Sequence, residues 1–133
     1  MAGRSWVSTS PAVLRLWDAS RQVMVAARIR KADTFRARLQ GLLGCPPLPP
    51  GAGLVLVPCR AVHTFFMAYP IDVVFLDPAG RVLRCLTDLA PFRLPAPVWQ
   101  ARVAVELPAG TLRKAGVRPG HRLTFLPPVE GLP

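Results

Sequence analysis

A mainly β fold, a compact antiparallel β-barrel or sandwich with one short α-helix near residues 34–43, is predicted by three features of the chain. Short apolar runs recur at 53–57, 71–76 and 82–86, each bounded by turn residues. Apolar positions alternate with polar ones over 12–30, and again through Ala101, Val103, Val105 and Leu107, which is the period of a strand with one buried face. Sixteen prolines in 133 residues leave little room for long helices, because proline lacks the N–H that a helix interior uses.

The first element is a hairpin. Leu14 and Leu16 share one face of its first strand, Val23, Val25, Ala27 and Ile29 one face of its second, and Asp18 to Gln22 supply a polar turn. Asp33 or Thr34 then caps the one helix, whose apolar residues Phe35, Leu39 and Leu42 follow i, i+4, i+7 spacing and which ends near Gly44. Pro46, Pro47, Pro49 and Pro50 form a stiff connector before the central strands, too short to link two domains. Asp77-Pro78-Ala79-Gly80 and Arg118-Pro119-Gly120 carry turn chemistry, the second ahead of a last strand at 123–126. Pro91 to Pro97 is expected to cross the surface as a loop, and 127–133 to be a loose tail.

Length and composition bound the function. A chain of 133 residues, 51% apolar and 18% charged, is one folded domain rather than a disordered segment. Seventeen basic residues against seven acidic ones give a net charge of +10, which favours an anionic partner. The basic residues concentrate at Arg28, Arg30, Lys31, Arg36 and Arg38, and at Arg113, Lys114, Arg118 and Arg122. No helix-turn-helix, zinc-finger or aromatic RNA-binding motif accompanies them, so any nucleic-acid binding is expected to be independent of sequence. No apolar signal core and no stretch of membrane-spanning length is present, and the expected location is cytoplasmic. Cys45, Cys59 and Cys85, an odd set, are expected as free thiols; a Cys59–Cys85 disulfide requires neighbouring strands and an oxidising compartment.

Cys59 to Gly80, CRAVHTFFMAYPIDVVFLDPAG, sets ionisable groups into apolar sequence, where each must find partners or shift its pKa. Cys59, His63 and Asp72 carry the donors of a metal site or of a nucleophile–base set, although a single Cys-x3-His lacks the second pair of a structural metal site. The structural alternative for Asp72 is a carboxylate that accepts backbone N–H bonds and pins the 66–70 turn. Phe65, Phe66, Met67 and Tyr69 are core residues, or in alternation line an apolar groove beside His63 and Asp72. Glu106 alternates with Val105 and Leu107, and is expected to be solvated or paired with Arg38. The candidate ligand-binding set is therefore His63, Thr64, Phe66, Met67, Asp72 and Glu106.

GLLG at 41–44, GLVLV at 53–57, HTFFMAYPIDVVFLD at 63–77, Gly80 and ELPAG at 106–110 together resemble the bacterial and archaeal family called domain of unknown function 192, or uncharacterised protein family 0127. The resemblance covers residues 30–126. It implies a compact, mostly antiparallel β fold with a short helix, and no settled activity or cofactor. Some members look exported or lipid-anchored, and some are encoded beside pilus or secretion machinery, so a component of such machinery is a partner the resemblance implies. Ala37 and His121 stand where the family pattern commonly has Glu and Asp, and Ala68 where it often has Lys or Arg, which weakens any acidic catalytic cluster around Asp72 and Glu106.

The expected function is a non-enzymatic binding or accessory module, without cofactor, that recognises a peptide, protein or small ligand through the His63–Asp72 surface. One alternative is an enzyme using Asp72 as general base or metal ligand with His63 and Cys59. The other is sequence-independent nucleic-acid binding by the arginine clusters.

Overall fold

The computed structural model describes residues 13–32, 47–65 and 67–127. Seven strands form one sheet: β1 (Val13–Asp18), β2 (Val23–Ala32), β3 (Ala52–Leu56), β4 (Ile71–Leu76), β5 (Val82–Leu89), β6 (Val103–Pro108) and β7 (Leu123–Leu126). Their order across the sheet is β5-β4-β6-β3-β2-β1-β7. The helix α1 (Thr111–Ala115) sits between β6 and β7. The helix expected near 34–43 falls outside the described residues.

The predicted strands are all present, and the expectation of a mainly β fold holds. Each antiparallel neighbour in sequence is joined by a marked turn: the hairpin β1–β2 closes through Gln22 N–H to Asp18 C=O at 2.8 Å. The β4–β5 turn closes through Gly80 N–H to Asp77 C=O, while Asp77 Oδ1 accepts from Ala79 and Arg81. One pair departs from the antiparallel expectation, since β2 and β3 run parallel, Ile29 facing Gly53 and Lys31 facing Val55. The long connection 33–51 allows it, because a strand can return in the same direction only after a crossover.

Both faces of the middle of the sheet are covered, which is why β4 is apolar at every position but Asp72 and all six of its residues are buried. One face carries Leu16, Ile29, Val55, Val74, Leu76, Val105, Leu107 and Leu123, and Leu112 of α1 plugs it. The other carries Leu54, Leu56, Ile71, Val73, Phe75 and Ala104, roofed by Val62, Met67 and Ala101 from the loops. Each fully buried Leu, Ile or Phe contributes roughly 1.5–3 kcal/mol of hydrophobic stabilisation.

The sheet does not close into a continuous barrel, but its outer strands meet at one end. Arg81 and Arg122 form an isolated bridge, and Val82 N–H to His121 C=O, Gly120 N–H to Val82 C=O and Leu123 N–H to Gly80 C=O span 2.8–2.9 Å. Gly80, at φ 87, makes this seam possible twice over: its φ disfavours a side chain, and a Cβ there would run into the Leu123 carbonyl oxygen. At Gly53 the strands pack so closely that a Cβ would lie 2.6 Å from Ile29 Cδ1 and 2.7 Å from Leu107 Cδ2.

Candidate functional site

Two loops lie against each other over the Leu54–Val73 face of the sheet: residues 57–70, which follow β3, and residues 90–102, which precede β6. Thr64 fastens them. Its hydroxyl donates to Ala90 C=O at 2.7 Å and accepts from Arg93 N–H at 2.8 Å, its own N–H donates to Arg93 C=O at 3.0 Å, and its carbonyl accepts from Phe92 N–H at 2.8 Å. Farther along, Val98 N–H donates to Arg60 C=O at 2.7 Å and Arg60 Nε to Trp99 C=O at 3.0 Å. Thr64 is fully buried, so these bonds are shielded from competing water.

This pair of loops turns large apolar side chains outward. Phe92, Leu94 and Trp99 are 58%, 68% and 71% exposed, and Phe65 is 37% exposed. Met24, on β2, is the other exposed large apolar side chain among the described residues. His63 is exposed beside Phe65, with ring centroids 5.2 Å apart, and its Nδ1 accepts the Phe65 N–H at 3.2 Å. Phe92 holds φ 62, a left-handed conformation that costs an aromatic residue on the order of 1–3 kcal/mol and persists here under the Thr64 bond.

Asp72 lies elsewhere. It is registered with Leu107 across β4 and β6, on the face plugged by α1, and it is fully buried. Oδ1 accepts the N–H of Asp88, itself at φ 51, and Oδ2 accepts the N–H of Leu112, both at 2.9 Å. Its carboxylate thus binds β5 and α1 to β4; the turn 66–70 is not where these bonds lead.

Glu106 is registered with Val73 and Leu54, on the opposite face from Asp72, and is 5% exposed. The expectation of a solvated carboxylate is corrected: β6 lies between β3 and β4 with both faces covered, so alternation along it does not separate core from solvent. Arg38, the expected partner, falls outside the described residues, as does Phe66. Met67 is buried in the core on Glu106's side. The structure therefore brings His63, Thr64 and Met67 together on the loop side and keeps Asp72 apart from them.

Cys59 packs against the loop-side core, its Sγ 3.1 Å from Ala61 C=O, whereas Cys85 of β5 packs against the α1-side core. The two thiols pack on opposite sides of the sheet and are not bonded to each other, which corrects the idea that they pair across neighbouring strands. Burial, and then the negative charge of Asp72, push the Cys85 thiol up to about 11. Among the described residues no three His, Cys, Asp or Glu side chains gather in a metal-binding group. An apolar cleft of about 210 Å³ opens at the shared end of β4 and β6, lined by Leu48, Tyr69, Ile71, Leu107 and Pro108.

Two features were not singled out from the sequence. Phe92 and Leu94 sit in the proline-rich 91–97 segment and Trp99 just after it, and the readable signal is a stretch from 89 to 105 with large apolar residues, two arginines and no acid. Asp18 is more than a turn residue. It is a fully buried carboxylate that accepts from Ser20 N–H, Arg21 N–H and the Arg21 guanidinium, with His121 Nδ1 at 3.3 Å.

Fold and site together define a small, mainly β protein that displays an arginine-bearing apolar loop surface. The chain belongs to the DUF192 family, described as Uncharacterized ACR, which matches residues 17–125. That span starts earlier than the resemblance at 30–126 and takes in most of the β1–β2 hairpin. A UPF0127 protein of Thermococcus kodakarensis is 33% identical over 107 residues, 77% of this chain and 68% of its own. A UPF0127 protein of Pyrococcus horikoshii is 33% identical over 103 residues, 75% of this chain and 87% of its own. A crystal structure from Sinorhizobium meliloti, named "a putative transcription regulator", superposes with a TM-score of 0.73 at 23% identity, covering 86% of this chain and 92% of that one. At that identity the likeness concerns the fold alone. Among the described residues no helix is long and apolar enough to cross a membrane.

Proposed function

We propose that this protein is a non-enzymatic binding or accessory module whose recognition surface is the loop pair around His63, Thr64, Phe92 and Trp99. The observation that carries the reading is the concentration of exposed Phe65, Phe92, Leu94 and Trp99 on two loops that hydrogen bonds of Thr64 and Arg60 fasten together. Exposed apolar residues grouped on one surface cost solubility, and in soluble proteins such groups mark contact with another molecule. Rigid loops bind well because little conformational freedom remains to be lost.

The disposition of Asp72 supports recognition over catalysis. Both of its oxygens serve backbone N–H groups in a site closed to solvent, whereas a general base needs a lone pair aimed at a substrate proton. Asp72 and Thr64 are positioning residues in this reading: one holds α1 and β5, the other the loops.

Site-specific photo-crosslinking tests it. A photoreactive amino acid placed at Leu94 or Trp99 is expected to give discrete adducts in an extract of the native host, and the same group at Met24 of β2 is expected to give none. Equal adducts from all three positions, or adducts from Met24 alone, would sink the reading.

A further inference from the structure

We infer that the loop surface takes an acidic protein segment carrying apolar or aromatic anchors. This partner class rests on the proposal that the loops around Thr64 carry recognition, and adds to it the chemistry of the occupant. Charge supplies the argument. Residues 57–71 and 89–105 contain Arg60, Arg93 and Arg102 and no Asp or Glu, although the chain has seven acids in all. All three arginines are exposed, and among the described residues the arginine ion pairs are Arg21 with Asp18 and Arg113 with Asp88. Three exposed arginines on the two loops therefore have no ion pair with a carboxylate among the described residues.

Guanidinium forks match carboxylates in a planar, two-bond geometry, which makes acidic side chains their natural complement. Trp, Phe and Arg are also the residues enriched where protein interfaces concentrate their binding energy. A segment of alternating acidic and apolar residues satisfies both at once, laying carboxylates on Arg93 and Arg102 and anchors against Phe92, Leu94 and Trp99.

Other anionic surfaces fit less well. Anionic membranes are recognised by clusters of about four to eight basic residues, more than this surface holds. Single-stranded nucleic acid stacks its bases on ring faces such as Phe92 and Trp99 but leaves the aliphatic Leu94 without a role, and its binding is an outcome of the test below.

The test pans the full chain against a displayed library of random twelve-residue peptides and measures the enriched sequences as labelled peptides by fluorescence anisotropy. Enrichment of peptides with net negative charge and at least one Trp, Phe or Leu is expected. The double variants Arg93→Glu/Arg102→Glu and Leu94→Ser/Trp99→Ser, all at exposed positions, are expected to melt with the wild type and each to weaken binding at least about tenfold. Neutral or basic enriched peptides whose binding still depends on Leu94 and Trp99 would overturn the acidic partner and leave the recognition surface standing. Peptides indifferent to all four substitutions would overturn both. Failure to enrich any peptide, or binding only to phosphatidylglycerol vesicles or to an oligothymidine, would also overturn the acidic segment.

Discussion

Leu112, in the first turn of α1, donates its backbone N–H to Oδ2 of Asp72 on β4 at 2.9 Å, across forty positions of sequence. The helix needs that acceptor. It has five residues, starts at Gly110 without a side-chain cap and has no acid in its first turn. Helix N-termini leave N–H groups unsatisfied and favour negative charge, and here a distant strand supplies what local sequence does not. The other Asp72 oxygen holds Asp88, so one carboxylate joins three elements.

Replacing Asp72 with Asn removes one of those two acceptors and puts an amide donor against an N–H. A loss of about 2–3 kcal/mol in urea denaturation is expected, the range for bonds to a buried charge. A loss below about 0.5 kcal/mol would mean that the carboxylate does not hold α1 and β5.

Cys85 makes stability fall at alkaline pH. Its thiol titrates at about 11 in the fold against 9.0 ordinarily, because burial and then Asp72 disfavour the thiolate. Between those values the unfolded chain has already lost the proton that the folded chain keeps, so rising pH favours unfolding. The contribution is complete below about pH 9 and gone above about pH 11. Denaturation midpoints across this range should fall less steeply for Cys85→Ala than for the wild type. At pH 8 the native thiol should react with a disulfide reagent on the order of a hundredfold more slowly than in the unfolded chain, and faster again in Asp72→Asn. Equal slopes for wild type and Cys85→Ala would refute the assignment.

Thr64→Val keeps shape and removes the hydroxyl that bridges Ala90 C=O and Arg93 N–H. A cost of about 1–3 kcal/mol is expected for leaving such groups without a partner. Amide exchange should quicken at Arg93 and Phe92 while β4 and β6 keep their protection. Uniform loss of protection throughout the sheet would show that Thr64 holds more than the loops.

Two glycines at nearly the same φ separate backbone strain from collision. Gly110, at φ 93, has open space around it, so Gly110→Ala should cost about 1–2 kcal/mol for the left-handed conformation alone. Gly80→Ala adds the clash with the Leu123 carbonyl and should cost at least about 3 kcal/mol. Equal effects by thermal denaturation would show that the β5–β7 seam yields at little cost.

Strand positions were legible because their signals are local. Alternation at Val23 to Ile29, the largely apolar run at Ile71 to Leu76 and the Asp77–Gly80 turn each predicted an element that the structure contains. The helix at Thr111–Ala115 was not legible, since five residues without a capping side chain carry almost no periodicity and the stabilising carboxylate lies on β4. Glu106 misled for a related reason: alternation tells which residues share a face, and says nothing of whether that face meets water. In the candidate site, His63, Thr64 and Met67 do come to one side, while Asp72, five residues after Met67, belongs to the other.

By itself the sequence determined a mainly β fold, the family, a strong positive charge and the strands that build the sheet, because periodicity, turn chemistry and composition act within a few residues of one another. Only the tertiary structure decided that β2 and β3 run parallel, that Asp72 serves the backbone of β5 and α1, and that Thr64 binds a second loop, on which Phe92, Leu94 and Trp99 are exposed. Those outcomes depend on hydrogen bonds between residues far apart in the chain, whose partners are chosen by how the whole core packs rather than by their neighbours.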